Sequence, residues 1–352
     1  VWLAVFLGLV AAAPVQEGAS PAVPARPGSW QVGTAAELVQ AAAAMPVVGG
    51  TILLQPGTYL LDAPLSFAHT NHVNLVGSGW NTTLVRRGAG DAIVFQDCSF
   101  SVVRDLMIVG DSAATAGSGI VYRGPSSSNR LAQCRIANFA ESGVSYGGEP
   151  KQPQSSNVVA GCHFIDNAGD QIASHSNNDF LIEGNQLGAH ARQGERAPHT
   201  GALLDHSAAG TYTKNFHWNN RVALRLEPGS HFNRIENNRF EESLETGVLI
   251  GDPDGREGVY LNIFLGNTIH TNSKGRTGEF PAVQAVFAVD FTFAANQVFS
   301  WDSEHYRHRS SLVLGPGCRS WIVKDNIFRH NAGPGLVFEP AAGHLVKDNL
   351  GE

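Results

Sequence analysis

His175, Asp205 and Arg225 each stand just beyond a pair of inward-type residues spaced two apart: Ile172/Ser174, Ala202/Leu204 and Val222/Leu224. Side chains alternate faces along a strand, so each pair points inward and the residue after it points out. The same alignment runs through Val144/Tyr146, Val248/Ile250, Leu312/Leu314 and Leu336/Phe338, whose next residues are Gly147, Gly251, Gly315 and Glu339. Two positions further along that face come Asn177, Ser207, Glu227 and Pro253. Asp205 and Glu227, beside a guanidinium and an imidazole, make an arrangement able to cleave a glycosidic bond. One protonated acid serves the leaving oxygen and the other carboxylate acts on water or on the sugar carbon. In a β-elimination, a base would instead remove the C5 proton of a uronic acid while a cation, Arg225 or Ca²⁺, steadies the enolate. The same side chains would also make a plain solvated ladder of ion pairs.

Such an array needs strands stacked in register, and the sequence repeats in a way that supplies them. The phrase HFNRIENNRF at 231–240 recurs as Phe180–Leu187, Ile263–Ile269, Phe293–Val298, Trp321–Phe328 and Leu345–Leu350. Each copy ends in Asn, any residue, then an apolar one. With the corner residue as a ruler, Cys134, Cys162, Asn185, Asn215, Asn238, Asn267, Asn296, Asn326 and Asn349 follow one another every 23–30 residues. That period fits a coil of three short strands per turn, each turn lying one strand spacing, about 4.8 Å, above the last. A single turn cannot bury its apolar side, whereas a stack builds one continuous core. Thr34-Ala-Ala-Glu37 has capping-box spacing, which predicts a helix over about 35–45 that covers the open end of the stack.

The Asn-x-apolar corners and the opening GTILLQPGTYLL at 50–61 resemble the right-handed parallel β-helix proteins of the pectate-lyase-like superfamily. The resemblance covers about residues 48–350. It implies an all-β, right-handed single-stranded parallel β-helix of about ten rungs with a short N-terminal capping helix. It also implies that the corner Asn form a hydrogen-bonded ladder and that the strand after each long loop carries a groove. Here that groove crosses rungs three to six. Lyases, hydrolases, epimerases and phage tailspikes share this fold, so it does not select a reaction. The motifs of classical pectate lyases and polygalacturonases are absent. Gly251-Asp252-Pro253-Asp254 is similar to the Asp-Pro-His-Asp of alginate-type C5 epimerases but lacks the histidine base. Gly184-Asn185-Gln-Leu, Gly201-Ala-Leu-Leu and the terminal Gly-His344-Leu-Val-Lys-Asp348 look a little like the inulin fructotransferases.

Long insertions at 188–200, 251–258, 270–282 and 301–310 are where binding groups are expected on a rigid scaffold. They offer Arg196, His199, Lys274, Arg276, Trp301 and Tyr306 for stacking on sugar rings and gripping acidic groups. Asp252 and Asp254 are candidate Ca²⁺ ligands beside Glu227, or else a tight polar turn. Cys134 and Cys162 occupy ladder positions on adjacent rungs, close enough for a disulfide, or stand there as two buried free thiols.

The net charge of −7 argues against a nucleic-acid partner. Val1–Ala13 reads as a signal-peptide core, residues 14–29 as a Pro/Ala/Gly-rich linker, and 30–352 as the β-helix domain, with no stable membrane span. The sequence therefore predicts a secreted, periplasmic or cell-surface protein, monomer or homotrimer. Its partner would be a polysaccharide or oligosaccharide, acted on by a lyase or glycoside hydrolase, the alternative being a non-catalytic glycan binder or a structural envelope protein.

Overall fold

The computed structural model describes residues 28–190, 199–252, 258–301 and 306–351. The expected signal peptide lies outside them. So does most of the expected linker, whose last two residues, Gly28 and Ser29, instead begin the first strand, Gly28–Val32.

The chain winds as a right-handed parallel β-helix with three long sheets. The first, from Gly28–Val32 to Leu345–Lys347, has thirteen strands. The second, from Gly57–Leu61 to Leu350–Gly351, has twelve, and the third, from Leu65–Ala68 to Leu336–Val337, has eleven. These exceed the ten rungs expected, because the coil begins before residue 48 and its first turns carry no Asn corner. Neighbouring strands pair in parallel, as at Val248↔Val283 and Leu312↔Leu336. The helix Ala35–Ala43 has the predicted capping box, with Thr34 and Glu37 bonded reciprocally, and buries Leu38, Ala41 and Ala42 over the end of the core.

The corner between the first and second sheets is built from two residues. The first is left-handed (Gly184, Lys214, Asn237, Gly266, Ala295, Asp325 or Asp348, φ 53–66°). The second is the ladder Asn. Each ladder Asn accepts, through Oδ1, the backbone N–H of the Asn one rung earlier: Asn185 to Asn215, and so on to Asn326 and Asn349, at 2.9–3.0 Å. Their side-chain amides bond along the same line and also reach a carbonyl of an earlier rung, as Asn267 does to Ile235 at 2.9 Å. Buried corner amides that no sheet partner satisfies are thereby paired. Cys162 and Cys134 continue the column as free thiols, which excludes the disulfide. Cys134 Sγ lies 3.3 Å from the Ala132 carbonyl.

The core is made of inward columns one rung apart. In the third sheet Phe67, Phe95, Tyr122 and Tyr146 stack face to face with centroids 4.9–5.2 Å apart, a spacing set by the rungs themselves. One polar residue interrupts the second-sheet column. His217 is wholly buried between Leu187 and Phe240, its Nε2 2.5 Å from the Tyr212 hydroxyl. Burial pushes this imidazole down to about 3.

Asn267→Ala strips both amide groups of Asn238 of their acceptor and should lower stability by about 3 kcal/mol in urea denaturation. Asn349→Ala, at the open end of the ladder, should cost clearly less. The unfolded chain protonates an ordinary imidazole near pH 6.5, while folded His217 resists protonation down to about 3. Its contribution is therefore complete above pH 6.5 and lost as pH falls, by at most about 1.4 kcal/mol per pH unit. A Tyr212→Phe/His217→Phe variant should show a flatter decline in stability between pH 6.5 and 4 than the parent chain.

Candidate functional site

Three third-sheet strands carry the predicted chemistry: Asp170–His175, Thr200–Asp205 and Val222–Leu226. His175 lies directly beside Asp205, as aligned from sequence. On the next rung the register differs: Leu204 pairs with Leu226, and Leu203 with Arg225. The inward pair there is Leu224/Leu226 rather than Val222/Leu224, so Glu227 continues the outward column and Arg225 sits one outward position earlier. A shift of two preserves which side chains face the core, and Val222, Leu224 and Leu226 are all apolar, so burial pattern alone could not choose. The column reads Gly147, His175, Asp205, Glu227, Gly251. Asn177 and Ser207 do not extend the outward face; both are buried. The chain turns its corner at Ser176 (φ 48°) and His206 (φ 47°), which swings the following residue inward.

Asp205 is held by two imidazoles. His175 Nδ1 is 2.9 Å from one carboxylate oxygen and His206 Nδ1 is 2.7 Å from the other. Burial works against ionisation of Asp205, but these hydrogen bonds prevail and hold its carboxyl below the usual carboxylate range. The hydrogen bond to Asp205 in turn raises His175 above an ordinary histidine. Glu227 behaves oppositely. Its side chain is 15 % exposed and forms an ion pair with Arg225. Burial nevertheless drives its pKa up against the opposing Arg225 guanidinium, with the nearby carboxyls of Asp252, Asp205 and Asp170 adding to the rise. Two carboxyls on adjacent strands, about 4.8 Å apart in backbone, are thus pushed to opposite protonation preferences.

Of the predicted substrate-binding residues, His199 joins this cluster, with Nδ1 3.8 Å from Asp170 at the head of the same strands. Lys274, Arg276, Trp301 and Tyr306 do not. They lie, like His199, in connections from the second sheet to the third, but on later rungs. Lys274 Nζ lies 2.9 Å from Asn219 Oδ1 and 5.8 Å from the Tyr306 ring, and Arg276 pairs with Glu279 at 2.8 Å. Arg196 and Asp254 fall outside the described residues. Asp252 stands beside Glu227, but among the described residues no three His, Cys, Asp or Glu side chains converge as metal ligands. His206, which sequence reasoning missed, occupies a corner where alternation of faces breaks down. The signal for it was the recurrent left-handed residue that closes each third-sheet strand.

Asp205→Asn removes the carboxylate whose hydrogen bond raises His175. The His175 titration midpoint, followed by NMR of its ring protons, should then fall toward that of a free histidine.

Among solved structures, the chain is similar to the Dettilon tailspike protein (12 % identity, TM-score 0.63), covering 89 % of this chain and 64 % of that one. The chain thus spans less than two thirds of the tailspike's length. It is also similar to the A-module of the Azotobacter vinelandii mannuronan C-5 epimerase AlgE6 (15 % identity, TM-score 0.60), covering 90 % of this chain and 95 % of that one. DFA-IIIase from Arthrobacter chlorophenolicus A6 gives 13 % identity and TM-score 0.60, covering 91 % and 98 %. The inulin fructotransferase likeness read from the sequence is met there, and at these identities it extends to the fold alone. No curated protein matches in sequence. The family model described as periplasmic copper-binding protein (NosD) matches residues 78–280. Copper favours thiolate, thioether or imidazole donors. Here all four thiols are buried and no donor set converges among the described residues, so what is described does not fit a copper centre. Matched over more than half its length, in the rungs that build the His175–Asp205–Glu227 column, the chain belongs to the NosD family.

Proposed function

We propose that the protein is an exported, carbohydrate-active β-helix protein that cleaves a glycosidic bond of a polysaccharide on the outer edge of its third sheet. The observation that carries this reading is the single column His175, Asp205, Glu227, with one carboxyl driven toward the acid form and its neighbour toward the anion. Glu227 is the proton donor to the leaving oxygen. Asp205 is the carboxylate that acts on water or on the developing cation at the anomeric carbon. The pKa directions favour these roles over the reverse. Asp205 ionises below the usual range and Glu227 keeps its proton above it, so the two required states coexist in one pH interval. His175 and His206 orient Asp205 and keep it charged, while Arg225 holds Glu227 in place.

A glycan lyase uses the same residues differently: ionised Asp205 would take the C5 proton, Arg225 would clamp the uronate carboxylate and Glu227 would protonate the leaving oxygen. Arg225, beside Glu227 and one outward position from the column, favours keeping that reading. Membership of the NosD family supports the expected periplasmic or extracellular setting. Among the described residues no helix is long and apolar enough to cross a membrane.

Glu227→Gln and Asp205→Asn should each reduce turnover of a polysaccharide by at least about 10²-fold, the scale of general acid–base catalysis, with the fold retained by circular dichroism. Activity should peak on the acid side of neutrality and fall as pH rises through the elevated midpoint of Glu227. Ultraviolet absorbance of an unsaturated uronide among the products marks a lyase, and its absence a hydrolase. Full activity in both variants would overturn this site, and no turnover by the parent chain would leave the non-catalytic binder or envelope role.

A further inference from the structure

The outer face of the second sheet carries a built aromatic surface that the acid column does not use. Trp218, Glu241, His270 and Phe299 occupy one outward position on four successive rungs. Trp218 lies flat over the rung below it. A Cβ at Gly188 would come within 2.3 Å of the indole, so only glycine leaves room for the ring there. Phe216 stacks beside it at 5.3 Å, and the Arg239 guanidinium sits 5.0 Å above Phe216. Glu241 pairs with Arg239 and lies 2.8 Å from His270 Nε2. His270 stacks on Phe299 at 5.1 Å, and Trp301, 56 % exposed, stands edge-on to both rings.

We propose that this face is a second, non-catalytic glycan-binding surface that holds a neutral oligosaccharide along the helix axis. Three features select that occupant. Partly exposed rings recur at Trp218, Phe299 and Trp301 over four rungs, about 14 Å, and offer apolar surface to the C–H side of a pyranose, while His270 is itself buried. The charges between them are paired, Arg239 with Glu241 and Lys274 with Glu242, so the surface offers hydrogen bonds to hydroxyls without the net positive field that a uronate or nucleic-acid chain would require. The outward positions of these rungs (Phe216, Trp218, Arg239, Glu241, Thr268, His270, Gln297 and Phe299) include no Leu, Ile, Val or Met, the aliphatic residues a protein partner's apolar surface would pack against.

Affinity electrophoresis in gels containing a neutral polysaccharide (inulin, dextran, β-glucan or galactomannan) or an acidic one (alginate or polygalacturonate) tests the proposal. At least one neutral polymer should retard the chain. Trp301→Ala should weaken that retardation roughly tenfold, about one ring contact's worth. Gln297→Ala should weaken it too. Trp80→Ala, on an exposed tryptophan far along the helix, should bind as the parent chain does. Retardation by acidic polymers alone, no retardation by any polymer, unchanged binding in both Trp301→Ala and Gln297→Ala, or equal loss in Trp80→Ala would overturn it.

Discussion

Everything in this molecule depends on pairing the backbone amides at the corner where each turn leaves the first sheet. Strand amides find partners in the rungs above and below, but the residue after each left-handed turn points its N–H into the dry interior. The Oδ1 of the next Asn supplies the acceptor, rung after rung from Asn185 to Asn349. Because each Asn both receives and gives, the ladder is a ruler as well as a staple. It holds each corner directly over the last and lets the connections elsewhere in the turn vary in length.

That division of labour explains where chemistry collects. The third sheet receives its strands from the variable connections, yet its register is carried round from the ladder. His175, Asp205 and Glu227 are therefore brought side by side from positions 30 and 22 residues apart in the sequence. One rigid column gives two carboxyls opposite surroundings. Asp205 meets two imidazole donors at the mouth of a corner. Glu227 is more deeply covered and shares its space with other carboxyls. Trp301, from one of the longer connections, packs instead against His270 and Phe299 on the second sheet.

The repeat, the ladder positions and the capping box were legible in the sequence because each rests on a local rule: an Asn that only a buried corner needs, and a Thr and Glu three apart. The candidate column was half legible. His175 and Asp205 lined up correctly, but Glu227 was placed off the column because Val222, Leu224 and Leu226 suit the core equally in two registers. Asn177, Ser207 and His206 were misjudged or missed for one reason, that alternation stops where the backbone turns left-handed. The other corner columns, such as Ser101, Asn129 and Asn157 bonded in sequence, escaped notice because Ser and Asn there follow no single phrase.

Family membership and geometry bear on different questions here. The NosD match speaks for descent and setting, while the described side chains favour acid–base chemistry over a converging metal-donor set. The central claim is that adjacent rungs force two carboxyls apart in acidity. It is tested most directly by carbon-detected NMR titration of the Asp205 and Glu227 side-chain carboxyls in the intact chain. The account predicts a Glu227 midpoint above that of an ordinary glutamate and an Asp205 midpoint below that of an ordinary aspartate. Coincident midpoints, or the reverse order, would contradict it.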